Sequence, residues 1–235
     1  MSDWHPLVLS LEVALVATVL ATSVGVALAL LLTWRRLVGR DLLDAISSAP
    51  MVMPPTVLGY YLLVALGRHS AIGRAWESVT GSSIVFTRTG AVVAATLGAL
   101  PLVIKSARAA LEGVDPTLLK AARTLGAGPV RTFWRVSLPL AAAALVAGWV
   151  LAFARGVGEF GATIVFAGNV QGKTQTLTLA VYEQLDANFD VALAIGILLV
   201  VLSAAVLLTY KLIVSWRDST SPSSAPFARS SSTSS

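Results

Sequence analysis

Arg155 and Glu159, four residues apart among Gly156, Gly158 and Gly161, are the charged pair with most reason to do more than solvate a surface. They follow an apolar run, where an ionisable group is costly and marks either a pathway or a braced bend. Arg before Glu is the weaker helical order for a pair. The three glycines permit a tight or broken turn beside it, which favours a structural pair. Gly156 to Gly161 also has the spacing of a dinucleotide fingerprint, but it follows an apolar helix instead of a strand and so cannot hold a pyrophosphate. Gly172-Lys173-Thr174 echoes a phosphate loop, yet Ala167 stands where the first glycine is required. His5 and His69 are the only imidazoles, cysteine is absent, and no carboxylates pair for acid–base work. We therefore expect no catalytic residue, no metal site and no cofactor.

The elements that carry these residues are apolar. Of the 235 residues 56% are hydrophobic and 12% charged, with a mean hydropathy of +0.79, whereas soluble domains carry about 25% charged residues. The chain reads as an all-α integral membrane protein, since its apolar runs lack the period-2 alternation of a barrel. Each run must supply roughly 20 residues to cross the hydrocarbon core. Five spans are expected: Leu7 to Thr33, Leu42 to Leu66, Thr89 to Ile104, Leu138 to Ala154 and Val191 to Tyr210. The second contains Pro50, Pro54 and Pro55 and must be broken there, because the prolines remove donors and free the carbonyls of Pro50 and Met51. The helix beginning near Thr56 then aims its positive end toward mid-membrane, where it either faces an anionic substrate or is a packing kink. Both readings stand on sequence alone.

Basic residues set the orientation. With the N-terminus outside, the inner side holds Arg35, Arg36, Arg40, Lys105, Arg108, Lys120, Arg123, Arg131, Arg135, Lys211, Arg217 and Arg229. The outer side holds Arg68, Arg74, Arg88, Arg155 and Lys173. The net charge of +5 is thus topology information, not a nucleic-acid footprint. Residues 1–6 are expected to be a short outer N-terminus, 7–214 the membrane domain and 218–235 a disordered tail. Residues 174–188 are too polar to span and read as an outer loop or short surface helix.

One inner segment is unusually polar, the loop at 109–139. Asp115 is a good N-cap, Pro116 fits the first helical position and Gly126 the left-handed position after the helix. Phe133 and Trp134 suit the membrane interface while Arg131 and Arg135 snorkel. Such a helix can simply cover the bilayer surface. The small pair Ala121 and Ala122 favours docking, because it lets a partner's backbone approach.

The run Lys120-Ala121-Ala122, then Gly126, then Leu138-Pro139 resembles the loop signature of bacterial ABC importer membrane subunits. Residues 111–115 and 121–128, Pro54 to Tyr60, and Phe153 to Thr163 resemble the molybdate permease subunits in particular. Lys120 stands where the signature has Glu, so a contact from that carboxylate does not carry over. The resemblance implies a MetI-like type-1 permease fold in a bacterial cell membrane and a homodimer around a central pathway. It also implies partner ATPase subunits in the cytoplasm and an oxyanion-binding protein outside, near Glu183 and Asp186. The implied cargo is molybdate, with tungstate or sulfate and thiosulfate as alternatives; a self-contained channel or enzyme is the rival from another class. ATPase coupling would fall to Glu112, Asp115, Ala121, Ala122, Gly126, Leu138 and Pro139. The pathway or gate would involve Pro54, Pro55, Thr56, Gly59, Arg155, Glu159, Gly161 and Thr163.

Overall fold

A computed structural model describes residues 4–33 and 37–220; the expectations for Arg35, Arg36, Arg229 and most of the tail lie outside them. The elements are α1 His5–Thr33, α2 Arg40–Val52, α3 Pro55–Leu66, α4 Ala71–Thr80, α5 Arg88–Glu112, α6 Pro116–Thr124, α7 Pro129–Thr132, α8 Leu138–Val157, α9 Gly161–Phe166, α10 Leu177–Ala187 and α11 Phe189–Thr220. There is no strand among the described residues. Four helical runs are long and apolar enough to cross a membrane: His5–Thr33, Arg88–Glu112, Pro129–Val157 and Phe189–Leu212. The pair α2 and α3, bent by 117° at its break, brings the number to five when counted as one broken span.

The centre is a bundle of α1, α5 and α8 packed through small residues. Ala17, Ala21, Ala91 and Ala99 are fully buried, and a Cβ on Gly25 would stand 2.7 Å from Val103. Lipid chains are as apolar as leucine, so close backbone approach, not exclusion of water, holds such helices together. Leu9 and Val13 cluster with Ala91 and Ala95, and Ala21 with Ala99 and Ala152. Thus α1 and α5 run parallel, and α8 returns between them: its Gly156 lies against Ala14 and its Gly148 against Ser106.

Several boundaries differ from expectation for identifiable reasons. The helix that carries the third span runs on past Ile104 to Glu112, because its polar last turns gain ion-pair partners. Helix is continuous from Pro129 to Val157, so the helix of the fourth span begins before Leu138 and Pro139. A π turn at Phe133–Ser137, in which Leu138 N–H donates to the Phe133 carbonyl, absorbs the proline in mid-run. The 174–188 segment is no mere surface loop: Thr174, Gln175, Thr176, Leu177, Leu179 and Ala180 are buried, and Leu177 N–H donates to Ser10 Oγ at 2.7 Å. Helix α11 reaches Thr220, so the first three residues expected in the tail are helical.

Candidate functional site

The Pro54-Pro55 motif and the Gly156–Gly161 motif, far apart in sequence, meet at one place. Helix α8 ends at Val157 and α9 begins at Gly161, so a second break lies beside the first. A Cβ on Gly161 would stand 2.7 Å from Pro55 Cβ and 3.2 Å from the Thr56 nitrogen. One on Gly59 would stand 2.8 Å from the Ala162 carbonyl and 2.9 Å from Val165 Cβ. The two half-helices α3 and α9 therefore pack backbone to backbone, and glycine is required at both contacts. Gly98, Pro101 and Leu102 flank the same place, midway along α5, so the break lies at mid-depth in the bundle.

Glu159 organises this junction. It is only 3% exposed and uses both carboxylate oxygens: Oε2 accepts from Arg155 Nη1 at 2.5 Å and Oε1 from the Ala162 N–H at 2.9 Å. Its carbonyl accepts from Thr178 Oγ1 at 2.8 Å. Because Glu159 lies beyond the end of α8, the weak Arg-before-Glu order within a helix does not apply. The two residues do form an ion pair, and Glu159 in addition caps the start of α9. Among the described residues Arg155 bonds through its side chain only to Glu159, and it lines a cavity of about 180 Å³ with Pro50, Met51, Met53 and Pro55. Thr163 is buried, and its carbonyl accepts from the Ala167 and Gly168 N–H groups. Thr56, Pro54 and Pro55 are exposed in the single chain. Gly98, whose Cβ would stand 3.1 Å from Glu159 Oε2, had no signal in sequence: a glycine in an apolar helix announces no partner.

The second cluster is the loop helix α6. Asp115 accepts from the Thr117 N–H at 2.8 Å, Pro116 opens the helix, and Gly126 has φ +78°. Gly126 N–H donates to the Arg123 carbonyl and Ala127 N–H to the Ala122 carbonyl, the paired bonds of a Schellman motif. Ala121 is exposed while Ala122 is buried by its own chain. The small pair is thus split: one methyl faces out, the other packs inward. Glu112 is engaged within the chain, by Arg108 at 2.9 Å and Arg40 at 3.8 Å. Leu138 is half-buried and Pro139 exposed, both in the run that follows the π turn. Glu183, expected at an outer contact, accepts from Asn169 at 2.9 Å and from Gln175.

This pairing of a doubly broken bundle with a capped loop helix has relatives. Residues 21–218 match the family described as binding-protein-dependent transport system inner membrane component. The chain belongs to this family. It is 44% identical over 180 residues to the molybdenum transport system permease protein ModB of Escherichia coli (strain K12), covering 77% of this chain and 79% of that one. It is likewise 44% identical over 209 residues to ModB of Mycobacterium tuberculosis, covering 88% and 78%. Among solved structures, an inward-facing MetNI methionine ABC transporter matches with a TM-score of 0.71 at 22% identity, over 94% of this chain and 100% of that one. A bacterial ABC transporter for alginate gives 0.74 at 15% identity, over 94% and 82%. These two show a shared fold. As a member of the family, the chain is a multi-pass membrane component of a transport system and not itself an enzyme.

Proposed function

We propose that the chain is the membrane subunit of an ATP-driven importer that carries molybdate, with tungstate as a close chemical analogue, into the cytoplasm. The single observation that carries this reading is the 44% identity to molybdenum permeases across most of the chain. The geometry gives it a mechanism. A dianion cannot enter hydrocarbon unaided, since desolvating an ion costs many kcal/mol. Arg155 offers a cation at mid-depth, and its ion pair with Glu159 keeps the net charge there near zero, so the anion is passed on and not trapped. The exposed stripe Val57, Tyr60, Tyr61 and Val64 on α3 is assigned to a second copy, with the pathway between the two. Pro54, Pro55, Thr56, Gly59, Gly161 and Thr163 shape its wall.

The N-terminus faces outward and α6 lies in the cytoplasm, where Ala121, Gly126 and the adjoining loop meet a separate ATPase. An oxyanion-binding protein delivers cargo at the opposite face. ATP binding and hydrolysis shift the dimer between outward-facing and inward-facing states through contacts that differ between them. The deciding experiment reconstitutes the chain with its ATPase and measures stimulation by binding protein loaded with molybdate, tungstate, sulfate or thiosulfate. Molybdate and tungstate should stimulate most. Stimulation by sulfate alone would make it a sulfate permease, and ion movement by the purified chain alone would make it a channel.

A further inference from the structure

Helix α2, the first half of the broken span, is loosely attached to its own chain by apolar packing: of its thirteen residues only Ser47 is buried. Between α2 and α5 lies an open polar cavity of about 370 Å³ lined by Asp41, Asp44, Ala45, Ser48, Ile104, Lys105 and Arg108. What crosses this gap is charge. Arg108 Nη1 donates to Asp44 Oδ2 at 2.9 Å and Arg108 Nε to Glu112 Oε1 at 2.9 Å. Arg40, at the start of α2, stands 3.8 Å from the same Glu112 oxygen. The guanidinium is a planar fork that can hold two carboxylates in fixed directions at once. Its side chain is 26% exposed, against 39% for Asp44 and 50% for Glu112, so water screens the Asp44 bond less than the Glu112 bond.

Glu112 is the last residue of α5, and three residues later Asp115 caps α6. At its other end α2 leads to the Pro54-Pro55 break. We propose that Arg108 is a positioning residue: by tying Asp44 of α2 to Glu112, it transmits displacement of the α6 loop to the broken span. This rests on the transport reading above, but not on which oxyanion is carried. Without the tie, α6 still moves when its partner moves, while α2, left with only the longer Arg40–Glu112 contact at 3.8 Å, follows far less across the polar gap.

The chain has no cysteine, so single reporters can be attached at its exposed positions before the complex with its ATPase is assembled. Val52→Cys reports on the end of α2, 86% exposed, and Val130→Cys on the stretch after α6, 69% exposed. Each carries an environment-sensitive fluorophore, and the response to ATP is read in vesicles. Both reporters should respond in the otherwise unaltered complex. With Asp44→Asn or Arg108→Gln, the Val130 response should persist while the Val52 response falls about fivefold or more, the low end of site-to-site coupling. Asp41→Asn, which lines the same cavity, should change neither. The assignment is overturned if the Val52 reporter never responds to ATP, if it responds normally in both Asp44 and Arg108 variants, if both reporters fail together, or if Asp41→Asn has the same effect. A wrong cargo leaves these ATP-driven responses intact and shows only in the stimulation experiment.

Discussion

Helices α3 and α6 both open on a proline, and they are held in opposite ways. The N-cap of α3 is Pro54, which makes no side-chain bond to the helix; its position comes from Gly59 and Gly161, which let α9 close to backbone distance. The N-cap of α6 is Asp115, bonded to Thr117, and its far end is closed by Gly126. Among the nine residues of α6 only Ala122 is buried. One helix is therefore specified by distant neighbours and the other by its own sequence. A helix that keeps its shape without neighbours can move as a body with a docking partner. One that depends on its neighbours belongs to a junction where a small displacement is felt by every element.

The largest effects should come from the junction. Gly161→Val places a side chain where even a Cβ would stand 2.7 Å from Pro55, and overpacking of this kind costs about 3 kcal/mol or more when backbone must yield. Yield and thermal unfolding of the purified protein should both collapse, and Gly59→Leu should behave alike. A variant at either position with unaltered melting would show that α3 and α9 are not held backbone to backbone. Glu159→Gln comes next. The amide oxygen can still accept from Ala162 N–H, so this change isolates the loss of the charge opposite Arg155. Removing one partner of a buried pair costs about 3 kcal/mol or more, reduced here because Arg155 is partly exposed. We expect a lower melting temperature and reduced assembly or uptake; normal uptake would exclude both a structural and a pathway role.

These two regions were unequally legible in the sequence. Asp115, Pro116 and Gly126 could be read residue by residue, because caps are rules about a dozen neighbouring residues. The proline break was also legible, since a missing N–H is a local fact. That the break meets Gly161 was not: glycine spacing shows that backbone can come close, but never whose backbone. In a string Ala121 and Ala122 look like one small face, because adjacent residues look equivalent. On a helix they are about 100° apart, and the buried one packs inward. Arg108 shows in sequence only as a topology charge, since its partner Asp44 is 64 residues away.

At α6 the expected effects move from folding to association. Ala121→Trp should leave the melting temperature nearly unchanged, because exposed substitutions usually stay within about 0.5 kcal/mol. ATPase retention in co-purification should nevertheless drop about tenfold or more, as a crowded contact costs roughly 1–3 kcal/mol. Ala122→Trp should instead lower the melting temperature. If Ala121→Trp keeps full association, the docking role of α6 is wrong. Gly126→Ala should cost about 1 kcal/mol through its left-handed φ, seen as a modest loss of both measures.

The smallest effect belongs to Asp115 and serves to sharpen the comparison. Its carboxylate accepts the Thr117 N–H, and this bond holds its pKa below the ordinary aspartate value. A depressed pKa adds stability above the unfolded-state value, and that contribution is lost as pH falls through the folded value. Association with the ATPase should therefore be insensitive to this group near neutrality and weaken slightly in acid. Asp115→Asn keeps an acceptor for the same N–H but removes the charge, so it should flatten this acid limb while retaining the helix. Asp115→Ala, which loses both, should weaken docking at every pH. If Asp115→Ala docks as well as the unaltered chain, the local cap is not what shapes α6, and the contrast with α3 fails at its nearer end.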